Sequence, residues 1–262
     1  MPTADQKSGA CKATFLLLVL TAERKNMNSF MSWVGGKKNL RDEVLARFPP
    51  YYERYIEVFG GAGWVLFHKP PGADFEVYND FNSNLTNLYR CVRDKPNRLK
   101  YKLRYVLDSR EDFDLTSSLH KRGILPRLYD VDRAAKFYQL IRYSFGSQPH
   151  SMWSDFPMID LAARRLQKVV IENKDFEKLI RQYDRPVSFF YCDPPYFATE
   201  NYYKDVGFTA KDHIRLRDAL LDIKGRFLVS YNDCPEIQRT CAMFDDCGDC
   251  PLKEYCESEA KE

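Results

Sequence analysis

An apolar run that ends in two consecutive prolines, at residues 189–196, limits the architectures open to this chain more than any other segment. The run Phe-Phe-Tyr-Cys is typical of a buried strand, and Asp193 follows it directly. Pro194 and Pro195 lack the backbone N–H that a strand ladder requires, so the strand must end in a rigid turn. In open α/β sheets, ligands bind at the carboxyl ends of the strands. The turn would therefore present a carboxylate, the Pro194 carbonyl and the Tyr196 ring to a ligand.

Short apolar strands alternate with helices along much of the chain. The strands are predicted at residues 55–59, 75–78, 169–171, 188–191 and 227–231. Apolar residues recur with a helical period at 84–92 and 212–223, and an apolar helix begins at Trp64. This alternation predicts an α/β fold with a mostly parallel sheet and helices on both faces. Residues 93–168 have no strand pattern and predict an inserted helical subdomain.

A glycine-rich turn follows the strand at 55–59. Phe59-Gly60-Gly61-Ala62-Gly63 leads into a helix, so backbone N–H groups can approach a ligand closely. Asp80 stands about 20 residues after Gly60, at the tip of the next strand, where a carboxylate can accept ribose hydroxyls. The turn lacks the G-x-G-x-x-G spacing, which disfavours a nicotinamide dinucleotide. A nucleoside cofactor without a pyrophosphate, such as S-adenosylmethionine, fits; a purely structural role of the glycines is the alternative.

The Asp-Pro-Pro-Tyr tetrad at residues 193–196 offers two hydrogen-bond acceptors and one aromatic face. These groups suit a planar base that carries an exocyclic amine, because the amine donates two hydrogens and the ring can stack. The alternative is a strand-ending turn with a solvated aspartate and a packed tyrosine.

Charge is unevenly distributed along the 262 residues, although the formal net charge is only +3. The 15% aromatic content is enough for a sizeable core and excludes global disorder. Between positions 90 and 104, seven basic residues face a single acidic one: Arg90, Arg93, Lys95, Arg98, Lys100, Lys102 and Arg104 against Asp94. This density favours contacts with nucleic-acid phosphates. A solvated helix face is the alternative.

Both ends of the chain are predicted to lie outside the folded domain. Residues 1–30 are predicted to be a poorly ordered extension, and their apolar run is far shorter than the roughly 20 residues of a membrane-spanning helix. Cys91 and Cys192 stand singly in apolar runs, which favours a reducing cytoplasm. Residues 241–262 form an acidic tail. Its Cys241, Cys247, Cys250 and Cys256 have a spacing compatible with zinc or an iron–sulfur cluster, or with a loose tail.

Four short motifs together resemble a known enzyme family. They are SWVGGK at 32–37, EVFGGAG at 57–63, YNDFN at 78–82 and YCDPPY at 191–196. From about residue 31 to residue 232, the chain resembles the D12-class, Dam-like adenine-specific DNA methyltransferases of bacteria and their phages. The resemblance implies a Rossmann-like fold that binds S-adenosylmethionine and methylates the exocyclic amine of an adenine within a short DNA sequence.

The resemblance also implies roles for individual residues. The implied cofactor-binding residues are Trp33, Lys37, Glu57, Phe59, Gly61, Gly63, Asp80 and Asp193. Trp33 would lie near the adenine of the cofactor and Lys37 near its methionine carboxylate. Asp193, Pro194 and Tyr196 would act on a target adenine that has been flipped out of the duplex. The reaction requires no metal and no covalent enzyme intermediate.

Domain limits and partners follow from the same resemblance. The catalytic domain is expected at 31–92 and 169–240, with a helical target-recognition insert at 93–168. Double-stranded DNA is the expected partner of a cytoplasmic monomer, and a cognate restriction endonuclease is a further expected partner.

Two other functions stay open on the sequence alone. The family continues past its equivalent of the strand at 227–231 with further strands, whereas about thirty residues follow here. This difference leaves open a catalytically impaired remnant that still binds DNA or cofactor. Methylation of RNA or of a protein amide is the other alternative, because similar tetrads serve those substrates. The motif at 32–37 and the basic insert argue against it.

Overall fold

In the part of the chain that the structure describes, five parallel strands form one sheet. Their bounds are β1 Arg54–Glu57, β2 Phe75–Asn79, β3 Val169–Glu172, β4 Ser188–Cys192 and β5 Arg226–Val229. The strands lie in the order β3-β2-β1-β4-β5, and every neighbouring pair is parallel. The computed structural model describes residues 27–31, 33, 37–105, 110–144, 155–197, 207–232 and 235. The predicted parallel α/β sheet is confirmed.

The strand order reverses between β1 and β4. From β1 the chain moves outward to β2 and β3, then returns to β4 on the other side of β1 and continues to β5. At the end of β1, Glu57 lies in register with Tyr78 of β2 and Tyr191 of β4. Loops that leave β1 and β4 therefore diverge and open a crevice, as expected at a topological switch point. The glycine turn and the Asp193 turn meet at this crevice.

Helices lie on both faces of the sheet. Within the described ranges they are α1 Arg41–Ala46, α2 Trp64–His68, α3 Ser83–Asp94, α4 Pro96–Arg104, α5 Arg110–Lys121, α6 Asp130–Ser144, α7 Phe156–Leu166, α8 Phe176–Tyr183 and α9 Ala210–Leu221, with a 3-10 turn at Leu125–Arg127. The predicted helices at 84–92 and 212–223 are confirmed as α3 and α9, and the predicted helix start at Trp64 is confirmed as α2.

Alternate residues of each strand pack on opposite faces. In β4, Phe189 and Tyr191 belong to the core that includes residues of α3, α6 and α7, whereas Phe190 and Cys192 face the core formed with α8 and α9. Both faces of β4 are therefore buried, and all five of its residues are inaccessible. This burial explains why the strand is a continuous apolar run rather than an alternating one.

Helices α3 to α7 come between β2 and β3 in the chain, and the basic run lies on the first two of them. Arg90 and Arg93 donate to the backbone carbonyls of Ile171 and Val169 in β3, at 3.0 and 2.9 Å. Three lysines pair with aspartates of α6 and α7: Lys95 with Asp130, Lys100 with Asp160 and Lys102 with Asp132. The Arg104 guanidinium also lies 5.7 Å from the centre of the Phe156 ring, so six of the seven basic residues make internal contacts. The structure therefore favours a packing role for this run over the predicted phosphate contacts.

The folded domain begins earlier than the predicted boundary at residue 31. The Phe30 side chain is only 5% exposed, and its ring packs edge-on against Phe67 at 5.8 Å and Tyr89 at 5.2 Å. An aromatic side chain in such contacts is part of the core. The structure thus corrects the prediction that all of residues 1–30 form an appendage, while residues 1–26 lie outside the described ranges.

The predicted cysteine-rich tail, residues 241–262, also lies outside the described ranges. In the part of the chain that the structure describes, no helix is both long and apolar enough to cross a membrane. Two cysteines there, Cys91 and Cys192, are buried free thiols.

Candidate active site

A cavity of about 590 Å³ opens at the carboxyl ends of β1, β2 and β4. It is lined by nine of the ten residues that the sequence indicated for the site: Trp33, Lys37, Glu57, Phe59, Gly61, Asp80, Asp193, Pro194 and Tyr196. Gly63, the tenth, is not among the lining residues. The nine come from widely separated parts of the chain, and the strand order brings them together.

The Asp80 carboxylate ties the glycine turn to the end of β2. It accepts hydrogen bonds from the backbone N–H groups of Gly61 and Asn82, at 3.0 and 2.8 Å. Burial raises the pKa of Asp80 to about 6, and the two N–H donors limit that rise. The side chain is therefore ionised at neutral pH and can accept hydrogen bonds from the hydroxyls of a ligand.

Gly63 is the last residue of the glycine turn and packs against the core. It has a left-handed φ of 63° and precedes the first residue of α2. A Cβ at this position would lie 3.0 Å from the hydroxyl of Tyr89 and 3.2 Å from the ring of Phe67. Any side chain would thus meet the core as well as strain the backbone. Gly63 therefore allows close packing against the core and does not form part of the cavity wall.

Glu57 occupies the inner end of the cavity, where β1 stops. Its side chain is almost fully buried and accepts a hydrogen bond of 2.7 Å from the hydroxyl of Tyr55. Burial raises the pKa of Glu57 to about 8; the Tyr55 hydroxyl opposes this rise, and the nearby charge of Asp193 adds to it. Below that pH, Glu57 is mainly a neutral acid that can both donate and accept hydrogen bonds.

Asp193 and Lys37 form a buried ion pair beside Glu57. The Nζ atom of Lys37 lies 2.6 Å from Oδ1 of Asp193, and the Lys37 side chain is only 7% exposed. Burial raises the pKa of Asp193, while Lys37 and the hydroxyl of Ser230 oppose that rise. Burial alone would lower the pKa of Lys37, but its charge attraction and hydrogen bond to Asp193 outweigh this and raise it. The ionised state of Asp193 therefore depends on Lys37 and Ser230.

The Tyr196 ring stands next to this ion pair. The Lys37 Nζ atom lies 4.6 Å from the centre of the ring, within the range of a cation–π contact. Pro194 and Pro195, buried between Asp193 and Tyr196, fix the spacing of the two side chains. The predicted carboxylate and aromatic face are thus presented together on one wall of the cavity.

Trp33 closes the cavity beside the glycine turn. A Cβ built on Gly61 would lie 3.1 Å from Cδ1 of Trp33. The indole also packs against Phe137 of α6 at 5.9 Å between ring centres. Trp33 therefore connects the cavity to the helical segment between β2 and β3.

Sequence reasoning identified only Phe59 of an aromatic wall at the other side of the cavity and missed its other two members. Phe59, Phe176 and Phe208 lie 5.6 to 5.9 Å apart, ring centre to ring centre. The guanidinium of Arg215 lies 4.7 Å above the Phe176 ring. Asp175 caps α8 by accepting from the N–H groups of the first turn, and it also binds Arg215 at 3.1 Å.

A local signal for part of this wall existed. Phe176, Leu179, Ile180 and Tyr183 recur at helical spacing directly after an aspartate N-cap, and all four are buried in α8. The position of Phe208 has no comparable local signal, because it lies in a loop whose place depends on the sheet.

Comparison with known proteins agrees with this geometry. The sequence model of the D12 class N6 adenine-specific DNA methyltransferases matches residues 33–147 and 150–245. The chain is 29% identical over 242 residues to the type II methyltransferase M1.LlaDCHI of Lactococcus lactis subsp. cremoris, covering 82% of this chain and 84% of that relative.

Two further relatives are named DNA adenine methylase. The Haemophilus influenzae protein is 30% identical over 188 residues, which are 64% of this chain and 63% of the relative. The Escherichia coli K12 protein is 27% identical over 219 residues, which are 74% and 76% of the two chains. Because the family match covers most of the chain and includes the lining residues of the cavity, this chain belongs to the D12 class of N6 adenine-specific DNA methyltransferases.

Proposed function

We propose that the cavity binds S-adenosylmethionine and that its methyl group is transferred there to the exocyclic amine of an adenine flipped out of double-stranded DNA. One observation carries the proposal: the Asp80 carboxylate and the Asp193–Tyr196 turn open into the same cavity. The first suits a ribose, and the second suits an amine-bearing base. A donor nucleoside and an acceptor base can therefore be bound next to each other in one cavity.

The residues present fit the proposed cofactor. The cavity, about 590 Å³, is within the range of about 300–1,000 Å³ that is typical of small-molecule sites. Asp80 would accept the ribose hydroxyls, and the N–H groups of the glycine turn allow close approach. Trp33 and the wall of Phe59, Phe176 and Phe208 offer apolar surfaces for a purine ring. Lys37 would contact the methionine carboxylate.

Asp193, Pro194 and Tyr196 would prepare the acceptor amine. When bound, S-adenosylmethionine supplies an electrophilic methyl group on its sulfonium centre. Tyr196 would stack on the flipped adenine, which offsets part of the few kcal/mol that flipping costs. Asp193 and the Pro194 carbonyl would accept the two amine hydrogens. Both hydrogen bonds strengthen as positive charge develops on the nitrogen, so they lower the barrier rather than only bind substrate.

Different segments of the chain would carry catalysis and DNA recognition. Residues 31–92 and 169–240 would form the catalytic domain, and residues 93–168 would read the DNA target. Helices α4 to α7, which lie within residues 93–168 between α3 and β3, support this division. A monomer in the cytoplasm would be sufficient for the reaction. The name of the Lactococcus relative as a type II methyltransferase supports a cognate restriction endonuclease as partner.

Transfer of tritium from methyl-labelled S-adenosylmethionine tests the proposal directly. Unmethylated duplex DNA should acquire label in N6-methyladenine, whereas RNA of the same sequence and a protein substrate should not. Label in RNA or protein alone would contradict the proposed acceptor. Cofactor binding by calorimetry without transfer to any of the three would instead indicate the impaired remnant. Modified-base sequencing of the labelled DNA would then give the target sequence.

Cofactor affinity is expected to depend on pH through Asp80. Its ionised form accepts ribose hydroxyls, and its pKa in the free protein is about 6. Affinity for S-adenosylmethionine should be steady near neutral pH and fall below about pH 6, by up to about tenfold per unit, as the carboxylate is protonated. Calorimetry at several pH values checks this.

Asp80→Asn is the informative variant for this prediction. It should bind cofactor more weakly at neutral pH and lose the pH dependence, because the amide does not titrate. Asp222→Asn, an exposed position after α9, serves as the matched control and should behave like the wild type. Equal pH profiles for the wild type and Asp80→Asn would contradict the role of Asp80.

A further inference from the structure

The three residues that follow β5 contact the Asp-Pro-Pro-Tyr turn and the residues on either side of it. The Ser230 N–H donates to the carbonyl of Cys192 at 2.9 Å, and the Ser230 hydroxyl donates to Oδ1 of Asp193 at 2.7 Å. The Asn232 side chain donates to the carbonyl of Phe197 at 3.3 Å. These contacts follow from the strand register, because Val229 of β5 lies opposite Cys192 of β4. Ser230 is therefore opposite Asp193, one residue past each strand.

Tyr231 supports the same turn through its ring. Its ring centre lies 6.3 Å from that of Tyr196. Its hydroxyl lies 2.8 Å from Nδ1 of His213, a buried residue of α9. The end of β5 is thus held by α9 on one side while it contacts the turn on the other.

We propose that Ser230 is a positioning residue for methyl transfer, which fixes the orientation of the Asp193 carboxylate and favours its ionised form. The inference rests on the proposed function, in which Asp193 accepts a hydrogen of the target amine. Both Ser230 and Lys37 bind the same oxygen, Oδ1. These two contacts fix the rotation of the carboxyl group, so that Oδ2 can accept a hydrogen bond from the target amine.

The charges around Asp193 explain why a hydroxyl matters here. Burial disfavours the ionised form of Asp193. Glu57 and Tyr191 also lie nearby, but the pKa of each is raised above neutral, so both side chains are mainly uncharged at neutral pH. Lys37 and Ser230 oppose the effect of burial, while Tyr196 faces Lys37. A hydrogen bond to the charged form of a carboxylate lowers its pKa. Loss of the Ser230 hydroxyl should therefore raise the pKa of Asp193.

A set of serine variants tests the proposal. Ser230→Ala should lower kcat by about 10- to 100-fold, as expected for a hydrogen bond to a charged group. It should also move the acid limb of the kcat–pH profile upward by about one unit, while cofactor affinity stays near that of the wild type. Ser230→Thr keeps a hydroxyl and should restore much of the activity.

Ser188→Ala is the matched control. Ser188 is a buried serine at the opposite end of the sheet, and its hydroxyl donates to the Tyr183 carbonyl at 2.7 Å. This variant loses one buried hydrogen bond, so its stability should fall as in Ser230→Ala, but kcat and the pH profile should not change. Equal kcat and pH profiles in the two alanine variants would overturn the positioning role.

A second readout does not depend on activity. The ¹³C carboxyl resonance of Asp193, assigned with Asp193→Asn, should titrate at higher pH in Ser230→Ala than in the wild type. An unchanged titration would overturn the proposal even if the enzyme is inactive. An inactive wild type with the expected change in titration would contradict the proposed function but leave the electrostatic role of Ser230 supported.

Discussion

Asp193→Asn is expected to reduce adenine methylation by about 10²–10³-fold, the usual effect of removing one preorganised group that stabilises developing charge. The amide has nearly the same shape as the carboxylate but carries no charge, and one of its two polar groups donates rather than accepts. Affinity for S-adenosylmethionine should change little, because Asp80 and the glycine turn are untouched. Single-turnover kinetics with labelled cofactor measures the methylation step.

Asparagine is a better probe than alanine at this position. Lys37 is 7% exposed, and its Nζ atom lies 2.6 Å from Asp193. Either variant removes the counter-charge of this buried cation, a loss that typically costs about 3–5 kcal/mol of stability, and alanine would also remove the hydrogen-bond acceptor that Asp193 provides to its ammonium. Asparagine keeps a hydrogen-bond acceptor for the ammonium.

The control for this experiment is Asp74→Asn. Asp74 is an exposed residue just before β2, at the amino ends of the strands and away from the cavity. It should retain full activity. Turnover of Asp193→Asn near the wild-type value would remove Asp193 from the reaction and with it the proposed mechanism.

Gly60→Ala is expected to damage both the fold and cofactor binding. The added methyl group would overlap Cε2 of the Tyr78 ring. Tyr78 is fully buried, stacks on Tyr89 at 4.0 Å and donates to the Gly61 carbonyl at 2.7 Å, and these contacts restrict the movement of its ring. Overpacking of this kind typically lowers the free energy of unfolding by about 1–3 kcal/mol.

Relief of this clash would displace the glycine turn from Asp80. A shift of about 1 Å in a binding group can cost about 100-fold in function, so we expect a comparable loss of affinity for S-adenosylmethionine. Thermal unfolding and calorimetry measure the two effects. The control is Gly72→Ala, since a Cβ at Gly72 meets nothing closer than the Pro70 carbonyl at 3.9 Å. If Gly60→Ala matched this control in both measurements, the close contact with Tyr78 would not be rigid.

Several features of the fold were set by local chemistry and could be predicted from the sequence. The buried strand before Asp193 is apolar on both faces, and two prolines end it. The glycines of the turn and the carboxylate of Asp80 stand directly after their strands. Each of these signals depends on a few consecutive residues, so neither the strand order nor the helix packing was needed to find them.

Other features depend on distances through space, and only the tertiary structure decided them. Arg90 and Arg93 are typical of a phosphate-binding run in sequence, yet they bind carbonyls of β3 because α3 packs against that strand. Phe208 and Ser230 reach the site from the last third of the chain. The position of Ser230 follows from the parallel register of β4 with β5, since hydrogen bonds between strands fix which residues face each other. Phe208 lies in the loop before α9, and its place depends on where that helix packs. Residue types thus determined the chemistry available to this protein, and the strand order determined which of those residues meet.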